Sequence, residues 1–144
     1  DRSGTENLIG IIGFGAAANA AISDCSHYIE MANWRDAFEE RVMSALPSVQ
    51  IFGKSAPRLG NTSCIAAGLK TAETMVMAFD IAGIAVSAGA ACSSGKVQRS
   101  HVLQAMGAGD AAMRAIRVSG GWATKRVDFE TVADVFIRLY KQTL

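Results

Sequence analysis

Ile84-Ala85-Val86-Ser87-Ala88-Gly89-Ala90-Ala91-Cys92-Ser93-Ser94-Gly95 passes from a branched apolar run into the smallest side chains, with one cysteine among them. Ile84 to Ser87 reads as a strand, and the glycine-serine stretch after it as a loop. A structural cysteine usually sits among branched apolar neighbours that hold it still. Here nothing bulky pins the thiol, and the glycines let the backbone turn freely. The pattern predicts Cys92 as a nucleophile mounted on a loop, the place where binding and catalytic groups concentrate. Read by itself, the same stretch also fits an unremarkable loop cysteine.

Outward from this point, the chain alternates between helical and extended patterns. Thr71 to Ala82 is predicted helical, with Thr74, Met75, Ala78 and Phe79 on one face and Gly83 at its stop. After the loop, Ser100 begins a short helix through Met106, closed by Gly107, and Ala115 to Ser119 is a strand carrying Arg117. Val132, Val135, Phe136, Leu139 and Tyr140 recur at helical spacing in a last helix after Thr124. On the N-terminal side, Val49 to Phe52 and Thr62 to Ala67 are strands joined by a turn over Pro57 to Gly60. Thr5 to Ala45 favours helix, with a break expected near Ser23–Ser26 and an end at Pro47. Ser3 and Thr5 are plausible caps, Ser3 with Glu6 fitting the capping box. Gly10, Gly13 and Gly15 each weaken a helix by about 1 kcal/mol relative to alanine, which predicts close packing there. The order builds a small sheet with helices stacked on one face, a two-layer α/β sandwich with long N-terminal helices.

Composition limits what such a domain can do. The 144 residues make one domain, half of them apolar, and a net charge of +1 offers no footprint for nucleic acid or an anionic membrane. Neither Leu8 to Ile22 nor Met75 to Cys92 reads as a membrane span, the first being too short and the second broken by Asp80 and glycines. Three cysteines at 25, 64 and 92 form no disulfide framework and no metal knuckle, favouring a reducing, cytoplasmic setting. Sparse charge hints that some apolar surface belongs against another domain or subunit.

Arg117 is the one charge in Ala115-Ile116-Arg117-Val118-Ser119. It reads either as an edge-strand arginine with its head in water or as a clamp for a carboxylate, which a planar guanidinium grips through paired hydrogen bonds. Arg2-Ser3-Gly4-Thr5 precedes a helix, where amide groups attract phosphate, though an ordinary cap fits as well. Asn61 and Thr62 read as turn chemistry, His101 as bordering its helix, and Cys25 and Cys64 as packing residues. Gly10-x-x-Gly13-x-Gly15 follows no strand and makes no dinucleotide loop.

Taken together, the Cys92 loop with Ser100-His101-Val102-Leu103, the Ile116-Arg117-x-Ser119 strand and the Arg2-Ser3-Gly4-Thr5 start resemble the NifS/IscS-type cysteine desulfurases of the class V aminotransferase family. The resemblance runs along the whole chain. It implies the small C-terminal domain of a fold-type I transferase dependent on pyridoxal 5'-phosphate, spanning residues 1–144 as a single domain. By the same resemblance Cys92 takes sulfur from L-cysteine as a persulfide, leaving L-alanine, and Arg117 binds the substrate carboxylate. Thr5 would reach the cofactor phosphate of the other subunit of a homodimer, and an iron–sulfur scaffold or another sulfur-acceptor protein would be the partner. Ala88 and Ala90 replace serines common in the family's loop, and Val97-Gln98-Arg99 replaces a Leu-Glu-Pro run. None of Lys54, Lys70, Lys96, Lys125 and Lys141 follows a histidine, so the family's cofactor lysine and its large domain have no counterpart here. The chain is therefore expected to be inactive alone. Selenocysteine lyase activity and a non-catalytic sulfur-carrier or binding module are the alternatives.

Overall fold

The computed structural model describes residues 4–89 and 100–141. Two helices, α1 (Leu8–Ser23) and α2 (Cys25–Ala45), lead to strands β1 (Gln50–Phe52) and β2 (Thr62–Ala66). Helix α3 (Ala72–Ile81), strand β3 (Ser87–Ala88) and helix α4 (His101–Ala105) follow. A short 3₁₀ helix (Gly109–Met113), strand β4 (Ile116–Ser119) and helix α5 (Arg126–Lys141) complete the chain. The four strands form one sheet in the order β1-β2-β4-β3, every neighbouring pair antiparallel.

Alternation along β2 and β4 assigns the two faces of the sheet. Ile65, Ile116 and Val118 point into the core beneath α2, α3 and α5, with Phe38, Met75, Phe79 and Phe136. Phe136 stands at its centre, 6.1 Å from Phe38, 6.0 Å from Phe79 and stacked at 4.5 Å on Tyr140. The opposite face carries a smaller cluster, in which Ala66, Leu103, Ala111, Ala112 and Ala115 pack the sheet against α4 and the 3₁₀ helix. The two-layer α/β sandwich read from the sequence is present, with this small cover on the second face added. Its residues are mostly alanines, which leave little periodic signal.

Several boundaries differ from the sequence reading. Helix α1 is capped not by Ser3 or Thr5 but by Asn7, whose Oδ1 accepts from the Gly10 amide at 3.1 Å; Ser3 lies outside the described residues. No residue of α1 is buried, and a Cβ added at Gly13 or Gly15 would meet nothing among the described residues. At Gly10 an added Cβ would stand 2.6 Å from Nδ2 of the capping Asn7, so the close packing expected at the three glycines is met only locally at Gly10 and is not supplied at Gly13 or Gly15 by the described residues. The break between α1 and α2 falls at Asp24, with a bend of 60°. No single described helix is long and apolar enough to cross a membrane; the α1–α2 pair passes that test together only across its bend.

In α3 the buried face is Ala72, Met75 and Phe79; Thr74 is exposed in the first turn, and its amide donates to the Thr71 Oγ1 that caps the helix. Strand β3 begins later than predicted. Gly83 takes φ +78°, and the Ile84 amide closes α3 by donating to the Phe79 carbonyl at 2.9 Å. That amide is thereby spent on the helix end rather than the sheet.

A buried acid holds the frame. The Glu39 carboxylate is 1% exposed. It receives Arg58 Nη1 and Nη2 at 2.6 Å each, and Ser63 Oγ at 2.7 Å. Arg35, also buried, donates to the Leu59 carbonyl at 2.6 Å and pairs with Asp36. Helix α2, the segment entering β2, and the back of β2 are thereby joined. At Gly60 an added Cβ would stand 2.5 Å from the Tyr28 carbonyl oxygen, so only glycine lets this segment lie against α2.

Candidate active site

One rung of the sheet crosses all four strands on the face away from α2 and α5. Phe52 pairs with Cys64, Cys64 with Arg117, and Arg117 with Ser87. Ile116 and Val118 are buried on either side, so Arg117 must point the other way, where it is exposed. It makes no ion pair among the described residues, whereas Arg35, Arg41, Arg58 and Arg126 all do. A cation on a strand between buried neighbours, left without an acid, is free to bind an anion.

Arg117 lies at the edge of a cleft of about 340 Å³ between this rung and α4. Phe52 and Cys64 floor it, and Val102, Leu103 and Met106 form the helix side. Gly89 and Ser100 also line it. These are the last described residue before the Cys92 segment and the first after it. Gly89 donates to the Ala115 carbonyl at 2.8 Å, and a Cβ there would press on that oxygen at 3.0 Å and on Leu103 at 3.2 Å. Ser100, 7% exposed, caps α4 by accepting from the Leu103 amide at 3.3 Å. Both ends of the segment are thus fixed at the cleft that holds Arg117. Cys92 itself lies outside the described residues.

Thr5 is described and exposed, two residues before the Asn7 cap of α1, and is not part of the cleft lining. Asn61 has the structural role read from the sequence: its side-chain amide donates to the Gly120 carbonyl at 2.7 Å, and Gly120 N–H returns a bond to the Asn61 carbonyl at 2.8 Å. Cys25 is exposed on α2, away from the cleft. Cys64 is more than a packing residue, because it floors the cleft beside Arg117. Burial pushes its thiol above the ordinary range, partly opposed by the Arg117 charge. Alternation along Thr62–Ala66 separates Cys64 from Ser63 and Ile65, but only strand pairing shows which residue it faces.

A larger hollow of about 550 Å³ lies between α2 and α5, over Trp34, Phe38 and Phe129. Its cations are already paired, Arg41 with Asp134 and Arg126 with Glu130, so it offers no comparable anion site.

The Arg117 cleft does not make a pyridoxal phosphate site by itself. Among the described residues it has no lysine to form the covalent link, no histidine to stack on the ring and no acid for the ring nitrogen. Lys54 donates to the Met43 sulfur and Lys70 to the Leu139 carbonyl, both outside the cleft.

The architecture, a small antiparallel sheet packed with helices, is that of NifS-like proteins. A NifS-like protein from Rickettsia africae ESF-5 superposes with a TM-score of 0.79 at 32% identity, over 97% of this chain and 36% of that one. The family model for class-V aminotransferases matches residues 2–132, and the chain belongs to that family. A cysteine desulfurase of Cereibacter sphaeroides is 42% identical over 105 residues, 73% of this chain and 27% of that protein. The cysteine desulfurase IscS of Dictyoglomus turgidum is 34% identical over 143 residues, 98% of this chain and 36% of that protein. The chain thus spans about a quarter to a third of the length of these curated relatives.

Proposed function

We propose that this chain forms the C-terminal part of a cysteine desulfurase, with Arg117 binding the carboxylate of L-cysteine and Cys92 accepting its sulfur as a persulfide, L-alanine being the other product. The observation that carries the reading is the unpaired Arg117 in a cleft whose lining includes both residues that flank the Cys92 segment. Two parallel N–H donors of a guanidinium match the two carboxylate oxygens and fix the orientation of the amino acid. A thiolate is the form of Cys92 that attacks sulfur.

Pyridoxal 5'-phosphate, held on a lysine of a large domain outside this chain, would supply the electron sink. Thr5, exposed ahead of α1, would contact the cofactor phosphate of a second subunit in a homodimer. The sulfur would pass to an iron–sulfur scaffold or another acceptor protein. Charge-poor, uncovered α1 accords with a surface that meets further protein. This chain by itself would then be inactive.

The test is Cys92→Ala in the full-length protein. Persulfide formation should vanish while the cofactor's visible absorbance remains. Undiminished sulfur delivery to an acceptor would overturn the assignment.

A further inference from the structure

The cleft beside Arg117 has a shape that recognition of a carboxylate does not require. Among the described residues its lining runs from the guanidinium toward β2 and β1, and on the β3 side takes in the Gly89 backbone but not Ser87. The side chains along that run are Cys64 and Phe52, with Val102, Leu103 and Met106 opposite, so a tail extending from Arg117 along β2 and β1 lies over them. Every one of these side chains is uncharged. At about 340 Å³ the space is at the small end of the roughly 300–1,000 Å³ typical of small-molecule sites. It equals on the order of ten water volumes, more than the single thiol-bearing carbon of L-cysteine needs.

We propose that this cleft binds small monocarboxylates carrying a short apolar tail, the head on Arg117 and the tail over Cys64 and Phe52. The inference rests on the reading of Arg117 as a carboxylate clamp and adds a class of ligand to it. Apolar contact supplies the discrimination: a tail that leaves water for this floor gains with each carbon, whereas a second charge would be stranded against it. Burial keeps the Cys64 thiol neutral in the ordinary pH range, so it serves as an apolar surface and leaves Arg117 unpaired. Such ligands would compete with an amino-acid substrate for the same guanidinium.

The experiment is calorimetric titration of the full-length protein with acetate, butyrate and hexanoate. Affinity should rise about fourfold for each added methylene, the increment expected for burying one CH₂. Phe52→Ala should flatten that rise while acetate binding persists. Cys64→Asp should abolish the whole series by placing an acid beside Arg117, and Cys64→Ser, which keeps the size, should only weaken the longer members. Arg117→Ala should lose all three ligands. Binding that needs Arg117 but does not grow with tail length, or grows equally in Phe52→Ala, overturns the tail site and leaves the clamp standing. Binding unchanged in Arg117→Ala, or none at all to the unaltered protein, overturns both.

Discussion

Cys64 and Arg117 face each other across β2 and β4, in register, on the surface of the sheet turned away from α2 and α5. Directly paired residues of antiparallel strands bring their Cβ atoms within about 5 Å. A thiol and a guanidinium from distant parts of the sequence thus share one small cleft. The neutral thiol leaves the guanidinium unpaired, and the guanidinium in turn draws down the thiol's proton affinity against the stronger effect of burial.

That pair has a measurable titration. Burial raises the Cys64 thiol, so its alkylation by iodoacetamide should have a midpoint above that of an ordinary thiol. Arg117→Ala removes the opposing charge and should move the midpoint further up. On raising the pH, the unfolded chain releases this proton before the folded one, so the folded state then binds more protons. Stability should accordingly fall above the ordinary thiol range, and Cys64→Ala should remove that part of the slope. A midpoint at or below the ordinary thiol value would refute this account.

Arg117→Lys keeps the charge but loses the planar pair of donors. Losing a charge-assisted hydrogen bond worth about 1.5–3 kcal/mol predicts a roughly 10- to 100-fold loss of affinity for carboxylate ligands. Because Arg117 is exposed, the unfolding midpoint in denaturant should hardly move. Calorimetry and denaturation on the same sample separate the two effects.

Glu39 is buried with Arg58 and Ser63 as partners. Glu39→Ala leaves the Arg58 guanidinium only the longer Asp36 pair at 3.6 Å and strands a buried hydroxyl, and should destabilise the fold by about 3 kcal/mol in urea unfolding. Ser63→Ala removes one bond to the acid and should cost less, about 1–3 kcal/mol. Equal, small losses would mean that the network contributes little.

Tyr140 stacks on Phe136, yet its hydroxyl is buried without a partner among the described residues. Tyr140→Phe deletes an unsatisfied group and should leave stability unchanged or raise it by up to about 1 kcal/mol. Phe136→Ala, at the centre of the core, should lose about 3–5 kcal/mol. A clear loss in Tyr140→Phe would show that the hydroxyl has a partner after all.

Local signals made much of this protein legible before its structure. Ser100 caps its helix as read, and Thr71, read as the first helical residue, is the cap of α3; each cap is a bond to an amide three residues away. The strands around Ile51, Ile65 and Ile116 follow from apolar runs between turns, and the last helix from its spacing. Arg117 stood out as a single charge in such a strand. The cap of α1 was missed because Asn7 competes with several other polar residues near that end. The start of β3 was missed because the bond that ends α3 takes the amide of Ile84.

The sequence by itself determined the kinds and order of the elements, the two-layer arrangement, and Arg117 as a candidate ligand group, since each depends on residues close along the chain. Only the tertiary structure decided that Cys64 lies beside Arg117, that Phe52 and α4 complete the cleft, and that Glu39 is a buried anchor. The strand order β1-β2-β4-β3 and the packing of α2 on β2 join segments that no local pattern links. Which residues meet is set by the pairing that buries the most apolar surface with its polar groups satisfied, a property of the whole folded chain.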